Sequence, residues 1–216
     1  MRRTLLGIYG KLYKKFGPQY WWPGDTPFEV IVGAILTQNT AWYNVEKAIT
    51  NLQQKKLLSP KALSRSTDSK IAALIRPSGY YNIKTKRLRN FLTFLNSKFK
   101  GNLSKLLNER TDLLREDLLR IKGIGPETAD SILLYAANKP VFVIDTYTKR
   151  ILSRHGIAPK DAKYEKLQNL FMSNLTSDVK LYNEYHALIV KVGKEFCKPK
   201  PKCALCPLKN IKRKKG

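Results

Sequence analysis

The chain has 216 residues, 43% of them hydrophobic, which suits one large globular domain or two small ones. Lysine and arginine number 41 against 16 acidic residues, and the formal charge of +25 favours a polyphosphate backbone as the partner. No apolar run is long enough to cross a bilayer, and neither a secretion signal nor a basic amphipathic helix with a lipid-facing side is evident. We therefore expect a soluble cytoplasmic protein associated with the nucleoid, and no membrane partner.

Helical periodicity dominates the chain. Residues 28–36 are apolar nearly all round, as in a central buried helix, and the other segments place apolar residues three and four positions apart. The predicted helices span residues 28–36, 43–54, 68–76, 84–98, 115–121, 127–138, 146–154, 161–173 and 178–196. The one β-like run, residues 141–144, has no comparable partner nearby and is interpreted as an extended connector through the core. The sequence predicts an all-α protein.

A helical hairpin is predicted within residues 113–134. The first helix ends at Lys122, a tight turn contains Gly123 and Gly125, and a second helix opens at Pro126, where the missing N–H is no loss. The free N–H groups and the positive end of the second helix are expected beside Lys122, where together they predict a phosphate-binding site. An ordinary corner between two helices is the alternative.

The segment after this hairpin is a buried apolar run that ends in a carboxylate, KPVFVIDT at 139–146. Hairpin, helix, apolar run and Asp145 together resemble the helix-hairpin-helix (HhH-GPD) DNA glycosylase superfamily, in particular its endonuclease III branch, over residues 20–207. In that family the Asp at this place is catalytic. A carboxylate there stabilises the positive charge that develops on the sugar and can orient or deprotonate the attacking water. Asp145 is also a candidate N-cap for the next helix, and both roles can hold.

The resemblance implies an architecture and a partner. A six-helix barrel with the hairpin is expected over residues 26–138, and a second helical subdomain over residues 1–25 and 139–216, with the active-site cleft between them. A cysteine loop is expected at 197–206. The partner implied is double-stranded DNA, bound by a monomer.

A second family feature is LTQNT at 36–40, in which Gln38 corresponds to the residue that enters the duplex and fills the gap left by the extruded nucleotide. On the sequence alone, a polar helix terminus is the preferred interpretation of Gln38. The DNA-binding residues expected from the resemblance are Gln38, Lys122, Gly123, Gly125 and Thr128.

The kind of glycosylase depends on Glu127. Bifunctional members of the branch have a lysine here that attacks the sugar through a Schiff base, which a carboxylate cannot do, so efficient lyase activity is not expected. The segments WWP at 21–23, LTQNTAW at 36–42, RPSGYYN at 76–82 and KGIGPETAD at 122–130 resemble the bacterial 3-methyladenine DNA glycosylase III group, which also has Glu at this place. Glu127 is therefore placed with Asp145 among the candidate catalytic residues.

The same resemblance implies an aromatic base pocket. A methylated purine such as 3-methyladenine carries positive charge, which electron-rich ring faces attract. Trp22 and Trp42 are the candidates for a sandwich around the flipped base, with Trp21 and Pro23 as walls. Packing in the core is the alternative for Trp21 and Trp22.

All three cysteines lie in the last twenty residues, an arrangement that favours metal over disulfides. The spacing of Cys197, Cys203 and Cys206 resembles the loop that holds a [4Fe–4S] cluster in endonuclease III. The fourth ligand would fall near Lys212, so the cysteine set is incomplete. A cluster is the favoured interpretation, and zinc or a relic loop that contacts phosphate are the alternatives.

Three functions remain open from the sequence. The first is a monofunctional glycosylase for alkylated purines, favoured by Glu127 and the tryptophans. The second is an endonuclease III-like enzyme for oxidised or mismatched pyrimidines, favoured by the cysteine loop. The third is a non-enzymatic binder of duplex DNA.

Overall fold

The computed structural model describes residues 1–211, and over that range it contains twelve α-helices and no β-strand, which confirms the all-α class. In chain order the helices are α1 (Arg2–Phe16), α2 (Pro27–Leu36), α3 (Trp42–Gln54), α4 (Pro60–Arg65), α5 (Asp68–Leu74), α6 (Tyr81–Phe99), α7 (Leu103–Leu107), α8 (Thr111–Arg120), α9 (Pro126–Ser131), α10 (Thr146–Arg154), α11 (Tyr164–Met172) and α12 (Val179–Glu195). None of the helices in this range is both long and apolar enough to span a membrane.

The chain divides into two compact units. One, here called the terminal unit, combines Met1–Trp22 with Pro140–Gly216, and the other, here called the central unit, is Pro23–Lys139. The boundaries expected from the sequence, after residues 25 and 138, differ from these by three residues and one residue. Each unit therefore has a core of its own, and the terminal unit is made from both ends of the chain.

The core of the central unit is α2. Every residue from Phe28 to Leu36 is buried, and the helix packs against α3, α6 and α9. Its start is fixed locally, because the Thr26 hydroxyl accepts a hydrogen bond from the Glu29 N–H and Pro27 occupies the first helical position. A helix that is apolar all round needs neighbours on every side, and the central unit supplies them.

The predicted hairpin is present, with different limits. Helix α8 ends at Arg120, two residues before the predicted end, because Ile121 takes an extended conformation and buries its side chain. Helix α9 begins at Pro126 as predicted but gives way after Ser131 to a π-helical segment, Ile132–Ala136. The helix expected over residues 127–138 is therefore a short α-helix followed by a π-helical segment.

The extended connector at residues 141–144 is buried along its whole length and runs through the core of the terminal unit without pairing as a strand. The ring of Phe142 stacks on Phe171, with their centroids 3.9 Å apart. The Gln168 side chain donates a hydrogen bond of 2.8 Å to the Phe142 carbonyl, which satisfies a backbone group that no strand partner reaches. The connector delivers Asp145 directly to the start of α10.

Candidate active site

Asp145 is both a helix cap and a buried carboxylate. Its Oδ1 accepts hydrogen bonds from the backbone N–H and the hydroxyl of Thr148, each 2.7 Å long. The residue is 7% exposed, and its φ and ψ are those of extended backbone, as an N-cap requires. The cap role is therefore present in the structure, and because it uses Oδ1 alone, it leaves Oδ2 available for other interactions.

Two cationic or titratable side chains of α12 act on this carboxylate. The Nε2 atom of His186 lies 3.7 Å from Oδ2 of Asp145, and His186 is 5% exposed. Burial lowers the pKa of His186, and the Asp145 carboxylate opposes that shift. Desolvation also lowers the pKa of Lys194, again opposed by Asp145. Sequence reasoning missed both residues, although His186 is one of only two histidines in the chain.

The contact between α10 and α12 is unusually close at one point. A Cβ atom on Gly193 would lie 2.4 Å from Cδ1 of Tyr147, so the ring of Tyr147 occupies the space that any other residue at 193 would need. The guanidinium of Arg150 lies over the ring of the same Tyr147, with its Cζ 5.0 Å from the ring centroid. The helix that carries Asp145 at its start and the helix that carries His186 are thereby held at a short separation.

Gln38 is held by the hairpin of the central unit. Its Nε2 donates to the carbonyl of Gly123 at 3.0 Å and to the hydroxyl of Thr128 at 2.9 Å. Its Oε1 accepts a hydrogen bond from Nη1 of Arg87. Both functions of the amide are therefore used, and the structure brings together three of the predicted DNA-binding residues with Arg87, which sequence reasoning missed.

The two hairpin glycines differ. Gly123 has a φ of +99°, and a Cβ there would lie 2.5 Å from Cγ of Arg87, so both conformation and space require glycine. Gly125 is the N-cap of α9 with a φ of −97°, and nothing lies within 4 Å of the place of its Cβ. Positive φ therefore requires glycine at position 123 but not at position 125.

The surface next to Gly123 is cationic. A groove of about 450 Å³ is lined by Lys86, Arg87, Arg89 and Lys122 among others. Asp68 forms an ion pair with Arg89 at 2.6 Å, whereas Lys86 and Lys122 are exposed. This arrangement is suited to the phosphate backbone of a nucleic acid.

The predicted pocket residues fall in both units. Trp21 and Trp22 end the N-terminal segment of the terminal unit, with ring centroids 5.5 Å apart and nearly perpendicular planes. The ammonium of Lys194 lies 5.7 Å from the Trp21 ring centroid. Pro23 and Trp42 belong to the central unit, where Pro23 is exposed and Trp42 begins α3. All three tryptophans are partly exposed, so none is a fully buried core residue.

The three cysteines of the C-terminal loop differ in exposure. Cys197 and Cys206 are buried and Cys203 is partly exposed, but within residues 1–211 no three or more side chains of the metal-binding types come together. Arg154 donates to Sγ of Cys197 at 3.3 Å. A thiolate that binds iron or zinc also accepts hydrogen bonds of this kind, so the contact is compatible with a metal, and the metal expected from the cysteine spacing stays a prediction. The predicted place of a fourth ligand, Lys212, lies outside the described residues.

Arginines of α10 hold this loop. Besides the contact with sulfur, Arg154 donates to the carbonyls of Lys198 at 2.6 Å and Pro199 at 3.0 Å. Arg150 donates to the carbonyl of Cys197 at 2.6 Å. The first part of the loop is thus fixed by hydrogen bonds from a helix.

Comparison with known families decides the class. The model of the HhH-GPD superfamily of base excision DNA repair proteins matches residues 32–177, about two thirds of the chain. The chain belongs to this superfamily. It is 48% identical over 206 residues to a protein of Methanocaldococcus jannaschii named as a DNA repair glycosylase, an alignment that covers 94% of this chain and 93% of that one. It is 31% identical over 185 residues to endonuclease III of Thermotoga maritima, covering 85% and 81%.

Solved structures of the superfamily agree with the fold. A 3-methyladenine DNA glycosylase of H. pylori, bound to 1,N6-ethenoadenine, is 33% identical with a TM-score of 0.76, covering 90% of this chain and 97% of that one. An endonuclease III in a non-covalent DNA complex gives a TM-score of 0.83 at 21% identity, covering 99% and 95%, and shows the fold alone. The chain is a DNA glycosylase of base excision repair, and the alternative of a non-enzymatic binder is not retained.

Proposed function

We propose that this glycosylase is monofunctional and hydrolyses the N-glycosidic bond of a flipped alkylated purine, of the 3-methyladenine type, in double-stranded DNA. The observation that carries the proposal is Glu127, which occupies the first turn of α9 where bifunctional relatives of this branch have their nucleophilic lysine. A carboxylate there cannot form an imine with the sugar, so water must complete the reaction. The 33% identity to a 3-methyladenine DNA glycosylase supports the choice of substrate.

Asp145 supplies the electrostatic part of the mechanism. As the base leaves with the electrons of the C1′–N bond, positive charge develops on the sugar, and the buried carboxylate stabilises that charge. Thr148 fixes the carboxylate through Oδ1, so little reorganisation is needed during the reaction. Water then adds to C1′ and loses its proton, with the carboxylate as the local acceptor.

The substrate class follows from charge. An alkylated purine such as 3-methyladenine is cationic, so its glycosidic bond is weakened before it reaches the enzyme and one carboxylate suffices. Partly exposed indole rings, such as those of Trp22 and Trp42, attract a cationic base through their faces. The hairpin with Lys122 and the surrounding cationic groove supply contacts with the DNA backbone.

The test measures base release from a duplex with methylated adenine and from one with an oxidised pyrimidine, each with and without alkali. We expect release from the methylated duplex alone, with strand breaks only after alkali. Asp145→Asn should lower the single-turnover rate by about a thousandfold while it keeps the cap. Asp178→Asn is the matched control, because Asp178 caps α12 in the same unit, and its rate should stay within about twofold.

The second candidate is an endonuclease III-like glycosylase and lyase, favoured by the 31% identity to the Thermotoga maritima enzyme. Strand cleavage of the oxidised duplex without alkali would establish it and overturn the alkylpurine assignment. Trapping of a covalent DNA adduct with borohydride would identify the lysine involved.

A further inference from the structure

The two oxygens of the Asp145 carboxylate have different surroundings. Oδ1 accepts two hydrogen bonds from Thr148, and both donors are 2.7 Å away. Oδ2 faces Nε2 of His186 at 3.7 Å, a separation that a small adjustment on substrate binding would convert into a hydrogen bond. One oxygen of the carboxylate is therefore fixed by its own helix, and the other faces a residue 41 positions away.

The position of His186 is determined by the packing of the terminal unit. Its neighbours along α12, Tyr185 and Ala187, are buried like His186 itself. About two turns further on, Gly193 lies so close to Tyr147 that no side chain fits between α12 and α10 at this point. The imidazole is therefore held opposite the start of α10.

The charge state of the imidazole matters for this carboxylate. Burial holds the pKa of His186 below its usual value, so the ring is neutral at neutral pH. A neutral imidazole can donate one hydrogen bond while it leaves the negative charge of Asp145 intact for the sugar. Among the described residues, Lys194 of α12 also interacts electrostatically with Asp145, and Lys191 of the same helix acts on Lys194.

We propose that His186 is a positioning residue for base release, whose neutral imidazole orients Oδ2 of Asp145 towards the reacting sugar through an Nε2–H···Oδ2 hydrogen bond. The inference rests on the proposed role of Asp145 in the glycosylase reaction. It assigns His186 no contact with the base, so it applies to any base that this enzyme releases. On protonation the ring becomes a counter-ion to the carboxylate and competes with the developing charge on the sugar.

The first experiment compares His186→Ala and His186→Gln with the wild type in single-turnover base release. Alanine should lower the rate by about tenfold to a hundredfold, with the Kd for DNA changed less than about twofold, since orientation and not binding is lost. Glutamine keeps an N–H donor near the place of Nε2 and cannot be protonated, so it should restore most of the rate. It should also move the acid limb of the pH profile to lower pH than in the wild type.

Each result has a defined meaning. A full rate for the alanine variant, or an equal loss for alanine and glutamine with unchanged pH profiles, would overturn the inference. If the alanine variant fails to fold, the rate and the pH profile of the glutamine variant decide whether His186 positions Asp145. A merely structural role for His186 would change stability without moving the acid limb.

The second experiment does not depend on activity. The chain has two histidines, His155 and His186, so NMR titration of the imidazoles resolves both, and His155 serves as the control. Asp145→Asn should lower the pKa of His186, because a carboxylate that raises it has been removed, and should leave His155 unchanged. An unchanged His186 titration would overturn the pairing even if the methylated base is released as proposed. A wild type inactive on methylated DNA would overturn the proposed function, while this titration would still decide the pairing.

Discussion

Arg87 donates a hydrogen bond to the side-chain oxygen of Gln38, and the Gln38 amide in turn donates to Gly123 and Thr128. The residue predicted to fill the gap in the duplex is thus fixed against the hairpin that is predicted to hold the DNA backbone. For Gln38 to enter a duplex, it has to exchange these contacts for contacts with bases. This exchange distinguishes a wedge from a polar helix terminus.

Gln38→Ala is expected to lower the single-turnover release of a base-paired lesion by about tenfold, which corresponds to about 1.4 kcal/mol less stabilisation of the extruded state. With the lesion opposite an abasic site, where no pairing has to be broken, the loss should be below about twofold. Gln53→Ala, which removes another hydrogen-bonded glutamine of the central unit, is the control. Equal losses on both substrates would indicate that Gln38 only stabilises the hairpin.

Glu127→Lys is expected to create lyase activity. A lysine in the first turn of α9 can add to the C1′ aldehyde of the released sugar, so borohydride should trap a covalent adduct and strands should break without alkali. Glu116→Lys makes the same change of charge on an exposed position of α8 and should give no adduct. A trapped adduct in the wild type at the level of the variant would show that another amine reacts.

Arg154→Met is expected to destabilise the protein by about 1 kcal/mol, because its hydrogen bonds to the exposed carbonyls of Lys198 and Pro199 are replaced by bonds to water. The midpoint of urea unfolding measures the loss, and Lys149→Met on the same helix is the control. Metal analysis of the purified wild type tests the cysteine loop separately. Stoichiometric iron or zinc would confirm the metal expected from the cysteine spacing, and its absence would favour the relic loop.

Lys84 makes the free energy of unfolding depend on pH. Its buried ammonium donates to the carbonyls of Leu36 at 2.7 Å and Ser78 at 2.6 Å, and burial, with a smaller effect of Arg87, lowers its pKa to about 8 from 10.5. Between these two values the unfolded chain binds a proton that the folded chain has lost. The contribution of Lys84 to the free energy of unfolding therefore rises with pH across this window.

Measured by urea unfolding, the stability of the wild type relative to Lys84→Met should increase from pH 8 to pH 10, with exposed Lys86→Met as the control. The variant should be less stable at every pH, because two buried carbonyls lose their donor. A difference that shrinks with pH would mean that the carbonyls stabilise the ammonium more than burial penalises it.

Local sequence signals predicted much of this fold. Apolar residues at helical spacing located α2, α3, α5, α6 and α8 to α12, and glycine with proline located the hairpin, because these signals reflect the backbone of a few adjacent residues. Helices α1, α4 and α7 were not predicted. The π-helical segment Ile132–Ala136 was not predictable in this way. It continues the apolar pattern of α9, and only the winding of the backbone differs.

The candidate site was less accessible to such reasoning. Asp145 and Gln38 were found through motifs, but their partners His186 and Arg87 lie 41 and 49 positions away and carry no local signal. The cysteine spacing predicted a metal loop, but the arginine that donates to the sulfur of Cys197 lies 43 positions earlier in the chain and carries no local signal. Sequence spacing identifies candidate residues, but which of them come into contact depends on tertiary packing.

The close approach of Gly193 to Tyr147 also predicts a pattern of mutational tolerance. In a library that replaces each glycine in turn, position 193 should be depleted of every other amino acid, because even a methyl group meets the tyrosine ring. Gly7 and Gly10 of α1, where nothing lies within 4 Å of an added Cβ, should accept alanine with a gain in helix stability. Substitutions can therefore accumulate at Gly7 and Gly10 of α1, while Gly193 at the contact of α10 with α12 stays glycine.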